Sequence, residues 1–153
     1  MDRQILLRHA RAAAQHAHSP YSHFRVGAAL LADDQLFTGA NIEISSYGLT
    51  LCAERAALAA AISQGARSIT HIAVACIDAA ADLPLTARMP CGACRQWLAD
   101  LASEAVIFVD GIDRAFSIHD LMPLAFTLPL SLDGQASFAE GQGVATEDEA
   151  AGK

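Results

Sequence analysis

Three of the four cysteines in this chain fall into two short segments that stand far apart in sequence. One is Leu51-Cys52-Ala53-Glu54-Arg55, and the other is Met89-Pro90-Cys91-Gly92-Ala93-Cys94-Arg95-Gln96. They read C-x-E and P-C-x-x-C. A fold that uses these thiols together must bring residue 52 back onto residues 91–94. Three thiolates on Zn²⁺ leave one coordination position open for water. Glu54 stands two residues from Cys52, close to that position, and a carboxylate there can move protons. Both segments run into helical patterns, and a helix N-terminus stabilises thiolates through its dipole and free N–H groups.

Other uses of these residues lead elsewhere. A closed structural zinc needs a fourth ligand, and Cys76 is the candidate. It lies inside Ile72-Ala73-Val74-Ala75-Cys76-Ile77, where a cysteine is ordinarily a small buried hydrophobe. A redox pair of Cys91 and Cys94 explains neither Cys52 nor Glu54. A glutamate near a helix start is most often a surface residue favoured by the dipole; the C-A-E-R context reverses that. Three thiolates on Zn²⁺ leave one net negative charge. Arg55 and Arg95 each directly follow a site residue and can donate hydrogen bonds to the sulfurs, offsetting it.

At 153 residues the chain is one domain with room for a core. No apolar run reaches the length of a membrane span. Met1-Asp2-Arg3-Gln4-Ile5 does not open a secretory signal, so the chain reads as cytoplasmic, where cysteines bind metal or catalyse. The formal charge of -7 is uneven: residues 133–153 hold five acids and one base, and residues 1–132 twelve acids and nine bases. A mildly acidic body argues against a nucleic-acid groove and does not exclude a single small ligand.

Periodicity predicts a helix over 2–18, with an apolar stripe of Ile5, Leu6, His9, Ala12, Ala13 and His16 and with Arg3, Arg8 and Arg11 in water. Ser19-Pro20 ends it. Residues 26–32 and 36–38, around Asp33-Asp34, read as a hairpin. A helix follows over 52–64, with Thr50 as N-cap and Gly65 past its end. Residues 69–77 form a strand buried on both faces, and 78–89 a loop. Pro90 opens a helix to about Leu101. Residues 105–109 read as a strand, 116–118 as a short strand and 119–122 as a helical turn. The alternation gives an α/β fold with a mixed sheet and helices on both faces. The domain is expected over 1–132, with 133–153 a disordered acidic tail.

Further segments accompany the zinc motifs: Ser19-Pro20-Tyr21-Ser22-His23-Phe24-Arg25-Val26-Gly27-Ala28-Ala29, Asn41-Ile42-Glu43, Ser46-Tyr47-Gly48-Leu49-Thr50 and Asp120-Leu121-Met122-Pro123-Leu124-Ala125-Phe126. Together and in this order, over roughly the first 130 residues, they make the chain resemble the zinc-dependent cytidine deaminase family, in its small type with three cysteine ligands. The resemblance implies a three-layer α/β/α sandwich around a five-stranded mixed sheet. It implies one zinc per chain on Cys52, Cys91 and Cys94, and Glu54 as proton carrier. It implies hydrolysis of cytidine or deoxycytidine to uridine or deoxyuridine plus ammonia, in pyrimidine nucleoside salvage. By the same resemblance Asn41 and Glu43, two apart in an extended stretch and so facing one way, hold the ribose 3′-hydroxyl. Phe24 packs on the pyrimidine and Val26 lines the same wall; either residue can equally belong to the core, the more so Val26. The Ala53 N–H binds the base carbonyl, and the backbone at Met89-Pro90 receives the leaving amino group.

Ser45 and Tyr47 fall among the implied substrate contacts. Ile44-Ser45 departs from the frequent Asn-Ala, in a region that contacts the sugar's 5′ end across a subunit boundary. The small members are homotetramers, and Phe126 matches a residue that covers the base in a neighbour's site. On its own, Phe126 would anchor the C-terminus in its own core. His23 and the other histidines read as ordinary surface or loop residues. The rival substrates are a nucleoside antibiotic such as blasticidin or an N4-substituted pyrimidine nucleoside. The rival class is a non-catalytic zinc module, which has no use for Glu54.

Overall fold

The computed structural model describes residues 2–128. The domain boundary expected after 132 and the acidic stretch 133–153 lie outside the described residues. Four strands, β1 (Val26–Ala32), β2 (Gln35–Ala40), β3 (Ile69–Cys76) and β4 (Val106–Val109), form one mixed sheet in the order β2-β1-β3-β4. β1 is antiparallel to both β2 and β3, and β4 is parallel to β3. Asp33 and Asp34 turn the β1–β2 hairpin, both at positive φ (47° and 62°). Such values suit a two-residue hairpin turn, and short polar side chains tolerate them.

The strands alternate in and out, so the sheet has two apolar faces. On one face α1 (Arg3–Ala14) packs Leu6, Leu7 and Ala10 against Ala29, Ala73 and Ala75. On the other, Ala28, Leu30, Ile72, Val74, Ile107 and Val109 pack with Leu58 of α2 (Ala53–Ser63) and Leu98 of α3 (Gly92–Leu101). Leu58 and Leu98 are fully buried, and burial of such a side chain is worth about 1.5–3 kcal/mol. The result is the expected α/β/α sandwich.

Two glycines set how closely the layers approach. A Cβ on Gly27 would stand 2.0 Å from the Ala10 carbonyl oxygen and 2.4 Å from the Ala14 nitrogen, both in α1. A Cβ on Gly39 would stand 2.4 Å from the Ala57 nitrogen and 2.7 Å from the Ala53 oxygen, both in α2. Each helix backbone therefore lies directly on the sheet at these points.

Several expectations are corrected. α1 ends at Ala14 rather than His18, and its N-cap is Asp2, whose carboxylate accepts from the Gln4 N–H. Its buried stripe is Leu6, Leu7, Ala10, Ala13 and Ala14, with His9, Ala12 and His16 exposed. The contact at Gly27 selects the Ala10–Ala14 side of the helix. Arg3 is not free in water; it lies over the Phe108 ring and donates to the Ile112 and Asp113 carbonyls. The N-cap of α2 is Cys52, not Thr50. The loop 78–89 contains a 3-10 turn, Leu85–Arg88. The expected fifth strand reduces to a single bridge, Ile107 to Phe116, with mutual N–H···O bonds of 2.8 and 2.9 Å. Ser117 diverts the chain by capping the short helix α4 (Ile118–Leu121). Among the described residues no helix is long and apolar enough to cross a membrane.

Candidate active site

The starts of α2 and α3 meet near the C-terminal end of β3. Cys52 caps α2, Cys91 caps α3, and Cys94 lies buried in the first turn of α3. Their sulfurs all lie within 4.8 Å of one another, with Cys52–Cys91 at 3.8 Å and Cys91–Cys94 at 3.6 Å. Three thiols so placed at two helix N-termini are the donor set of a zinc site with one open position. The neighbouring Cys94 sulfur, and then Arg55, hold the Cys52 thiol below its ordinary value. Cys94, the other thiol of that pair, is pushed up. Arg55 Nη2 stands 3.8 Å from Cys52 Sγ and donates to the Thr50 carbonyl at 2.7 Å.

Arg95 is placed differently. Its guanidinium donates to the Pro90 and Leu121 carbonyls, each at 2.8 Å, and so ties the Cys91 turn to α4. No Arg95–sulfur bond stands among the described residues. Cys76 is not one of the clustered sulfurs; its Sγ is 4.0 Å from the Arg88 carbonyl, and burial raises its thiol to about 11. It is a protonated thiol in the wall, as its apolar strand suggests.

Glu54 is 5% exposed. Burial raises its carboxyl to about 7, and the Cys52 charge adds to the effect. A carboxyl near neutrality can both take and give a proton.

A cavity of about 390 Å³ opens on this cluster. Cys52, Ala53, Glu54 and Cys91 form one side, and Phe24, Val26, Asn41, Glu43 and Tyr47 another. Val74, Cys76, Arg88 and Met89 complete the wall. Ala53 opens α2, so its N–H has no intrahelical acceptor.

The chain at 41–43 is pinned on both sides. His18 N–H donates to the Asn41 carbonyl, Glu43 N–H to the His18 carbonyl, and Ile42 and Leu51 exchange two bonds. Asn41 and Glu43 therefore turn inward together, both buried, while Ile42 is exposed. The Asn41 amide clips the Phe24–Val26 backbone: Nδ2 donates to the Phe24 carbonyl at 2.9 Å, and Oδ1 accepts from the Val26 N–H at 2.8 Å. Burial works against the Glu43 charge, but bonds from Ser22, Tyr21 and Tyr47 outweigh it and keep its pKa below the usual range.

Two of the implied contacts do not line this cavity. Ser45 is exposed. Phe126 is 65% exposed, and its carbonyl accepts from Gln96. It is not anchored in its own core.

Sequence reasoning gave no role to Ser22, which holds Glu43, or to Asp78, which pairs with Arg25. The Arg25–Asp78 ion pair is 2.6 Å, and a second bond from Arg25 Nε to the same carboxylate is 2.9 Å. It joins the Phe24–Val26 wall to the start of the 78–89 loop. Both partnerships span long sequence separations, so no local pattern signals them.

An α/β/α sandwich with three thiols at two helix starts and a buried carboxyl beside them defines a zinc-centred enzyme class. Residues 1–110 match the model of the cytidine and deoxycytidylate deaminase zinc-binding region. A cytidine deaminase of Halalkalibacterium halodurans is 44% identical over 132 residues, covering 83% of this chain and 96% of the relative. One of Mycobacterium tuberculosis is 42% identical over 129 residues, covering 84% and 92%. The crystal structure of the cytidine deaminase from Burkholderia pseudomallei superposes with a TM-score of 0.73 at 40% identity, covering 82% of this chain and all of that one. The chain belongs to the cytidine deaminase family. Its zinc, one per chain, fits the Cys52–Cys91–Cys94 cluster.

Proposed function

We propose that the protein hydrolyses cytidine and deoxycytidine to uridine and deoxyuridine, releasing ammonia. The observation that carries this is a buried Glu54 beside three clustered thiols, facing a cavity of nucleoside size. When bound, zinc supplies the Lewis acidity that makes water a nucleophile near neutral pH. Glu54 would take one proton from the attacking water and hand it to N3 as oxygen adds to C4. It would then take the second proton from the new C4 hydroxyl and pass it to the amino group, so that the C4–O bond becomes the carbonyl, the C4–N bond breaks and ammonia leaves. The Ala53 N–H orients the base through its carbonyl, Phe24 packs on the ring, and Asn41 and Glu43 hold the sugar 3′-hydroxyl. Arg55 offsets the thiolate charge, whereas Arg95 positions Cys91 through the Pro90 carbonyl.

The same reading makes the protein a cytoplasmic enzyme of pyrimidine nucleoside salvage and a homotetramer. Support for shared sites comes from Phe126, which is exposed and stands outside its own cavity. Ser45 serves the sugar's 5′ end in that assembly, and Tyr47 contacts the substrate from the chain's own cavity, beside Glu43. The test measures ammonia release and the cytosine-to-uracil absorbance change with cytidine, deoxycytidine, CMP, cytosine and N4-modified cytidines. Cytidine and deoxycytidine should react fast and CMP poorly. Faster turnover of an N4-modified nucleoside than of either would shift the assignment to the rival substrate.

A further inference from the structure

Glu43 is 3% exposed and accepts four hydrogen bonds. The Tyr21 and Ser22 N–H groups reach Oε2 at 3.0 and 3.1 Å. Ser22 Oγ reaches Oε1 at 2.5 Å, and the Tyr47 hydroxyl reaches the same oxygen at 3.3 Å. A carboxylate offers about four acceptor sites, so every site on Glu43 is taken. Three of the four donors belong to one turn, Tyr21–Ser22. The fourth is the longest and comes from an exposed side chain. A ligand hydroxyl that donates to Glu43 must therefore replace Tyr47 at Oε1, on the oxygen that Ser22 Oγ holds.

The turn is built for this. His23 stands at φ 55°, a left-handed conformation uncommon outside glycine. That reversal lets Ser22 Oγ donate to Glu43 while accepting from the Phe24 N–H at 3.1 Å. The terminal torsion of a glutamate is broad, so without Ser22 Oγ the carboxylate would not present one fixed acceptor direction. We propose that Ser22 is a positioning residue for sugar recognition: its hydroxyl fixes Glu43 Oε1 so that one site faces the 3′-hydroxyl of the nucleoside. This rests on the assignment of Glu43 to the sugar made above.

A purely structural Ser22 would affect all substrates alike; a positioning Ser22 acts through one hydroxyl. Deoxycytidine and 2′,3′-dideoxycytidine differ in that hydroxyl alone. Steady-state kinetics on zinc-loaded wild type, Ser22→Ala, Ser22→Thr and Glu43→Gln separate the cases. Ser22→Ala should raise KM for deoxycytidine roughly 10-fold or more, the scale of a hydrogen bond to a charged group, with a smaller change in kcat. The change for dideoxycytidine should stay within about twofold, since the lost partner is missing. Ser22→Thr keeps the hydroxyl and should restore most of the KM. Ser22→Cys, similar in volume and a weaker donor, gives the same comparison if Ser22→Ala does not fold. Equal losses on the two nucleosides would overturn the role of Ser22. If Glu43→Gln also loses equally on both, the assignment of Glu43 to the sugar falls too. If Glu43→Gln is selective and Ser22→Ala is not, only the role of Ser22 falls.

Discussion

Replacing Gly39 with alanine should disable the metal centre without touching a ligand. The added Cβ would meet the Ala57 nitrogen at 2.4 Å, the Ala53 oxygen at 2.7 Å and the Ala56 Cβ at 2.8 Å. Two of these are backbone atoms of the first turns of α2, so no side-chain rotation relieves them. Ordinary contact begins near 3.4 Å, and the start of α2 must therefore retreat by about 1 Å. That start carries Cys52 and Glu54. Zinc–thiolate bonds are about 2.3 Å and tolerate about 0.2 Å, so a 1 Å retreat of Cys52 takes it away from Cys91 and Cys94. Overpacking of this kind costs about 1–3 kcal/mol of stability. Misplacing Glu54 by about 1 Å costs about 10²-fold in turnover. The assay is zinc release to a chromogenic chelator together with cytidine turnover. Gly48→Ala, where an added Cβ meets nothing within 4 Å, is the control. Wild-type zinc retention and turnover within twofold in Gly39→Ala would refute the claim that the sheet contact sets the position of the site.

The remaining predictions concern the cavity wall, the substrate and the assembly. Hydrogen bonds from Arg25 hold Asp78 at about 2, below its ordinary 3.8. Its contribution is complete above 3.8 and is lost as pH falls through 2. The pair is partly exposed, so Asp78→Asn should cost at most about 1 kcal/mol near pH 7. The melting difference from wild type should be a few degrees there and shrink below pH 4; a difference that grows in acid would contradict the pairing. Single-stranded DNA should be a poor substrate, as the acidic balance of the body implies, and its efficient deamination would count against a free nucleoside. Mixed oligomers of Phe126→Ala and Glu54→Gln chains should be more active than the sum of the two pure mutants. No rescue after confirmed subunit exchange would return Phe126 to its own chain.

The parts of the fold legible in the sequence are those set by strong local signals. The continuous apolar run at 69–77 is β3, and the Ala/Leu/Glu/Arg segment after Cys52 is α2. The face of α1 was not legible, because its small alanines favour no side. The choice is made by Gly27, which admits the Ala10–Ala14 backbone. The fifth strand failed because Ser117 begins a capping box one residue after the bridge at Phe116. In the site, Cys52, Cys91, Cys94 and Glu54 were readable because each metal-binding segment is local and each opens a helix. Ser22 was not, since its partner Glu43 lies 21 residues away and meets it only through a left-handed turn at His23. Arg95 was misread for a related reason. Its neighbour in sequence is Cys94, but its guanidinium points to the carbonyls of Pro90 and Leu121.

The central claim is that Glu54 moves protons beside a three-cysteine zinc. Cytidine turnover per bound zinc in Glu54→Gln tests it most directly, since glutamine keeps the shape and loses the proton-carrying group. The account predicts about one zinc per chain, an unchanged fold and at least ~10²-fold slower release of ammonia. Near-wild-type turnover per zinc in that variant would contradict it.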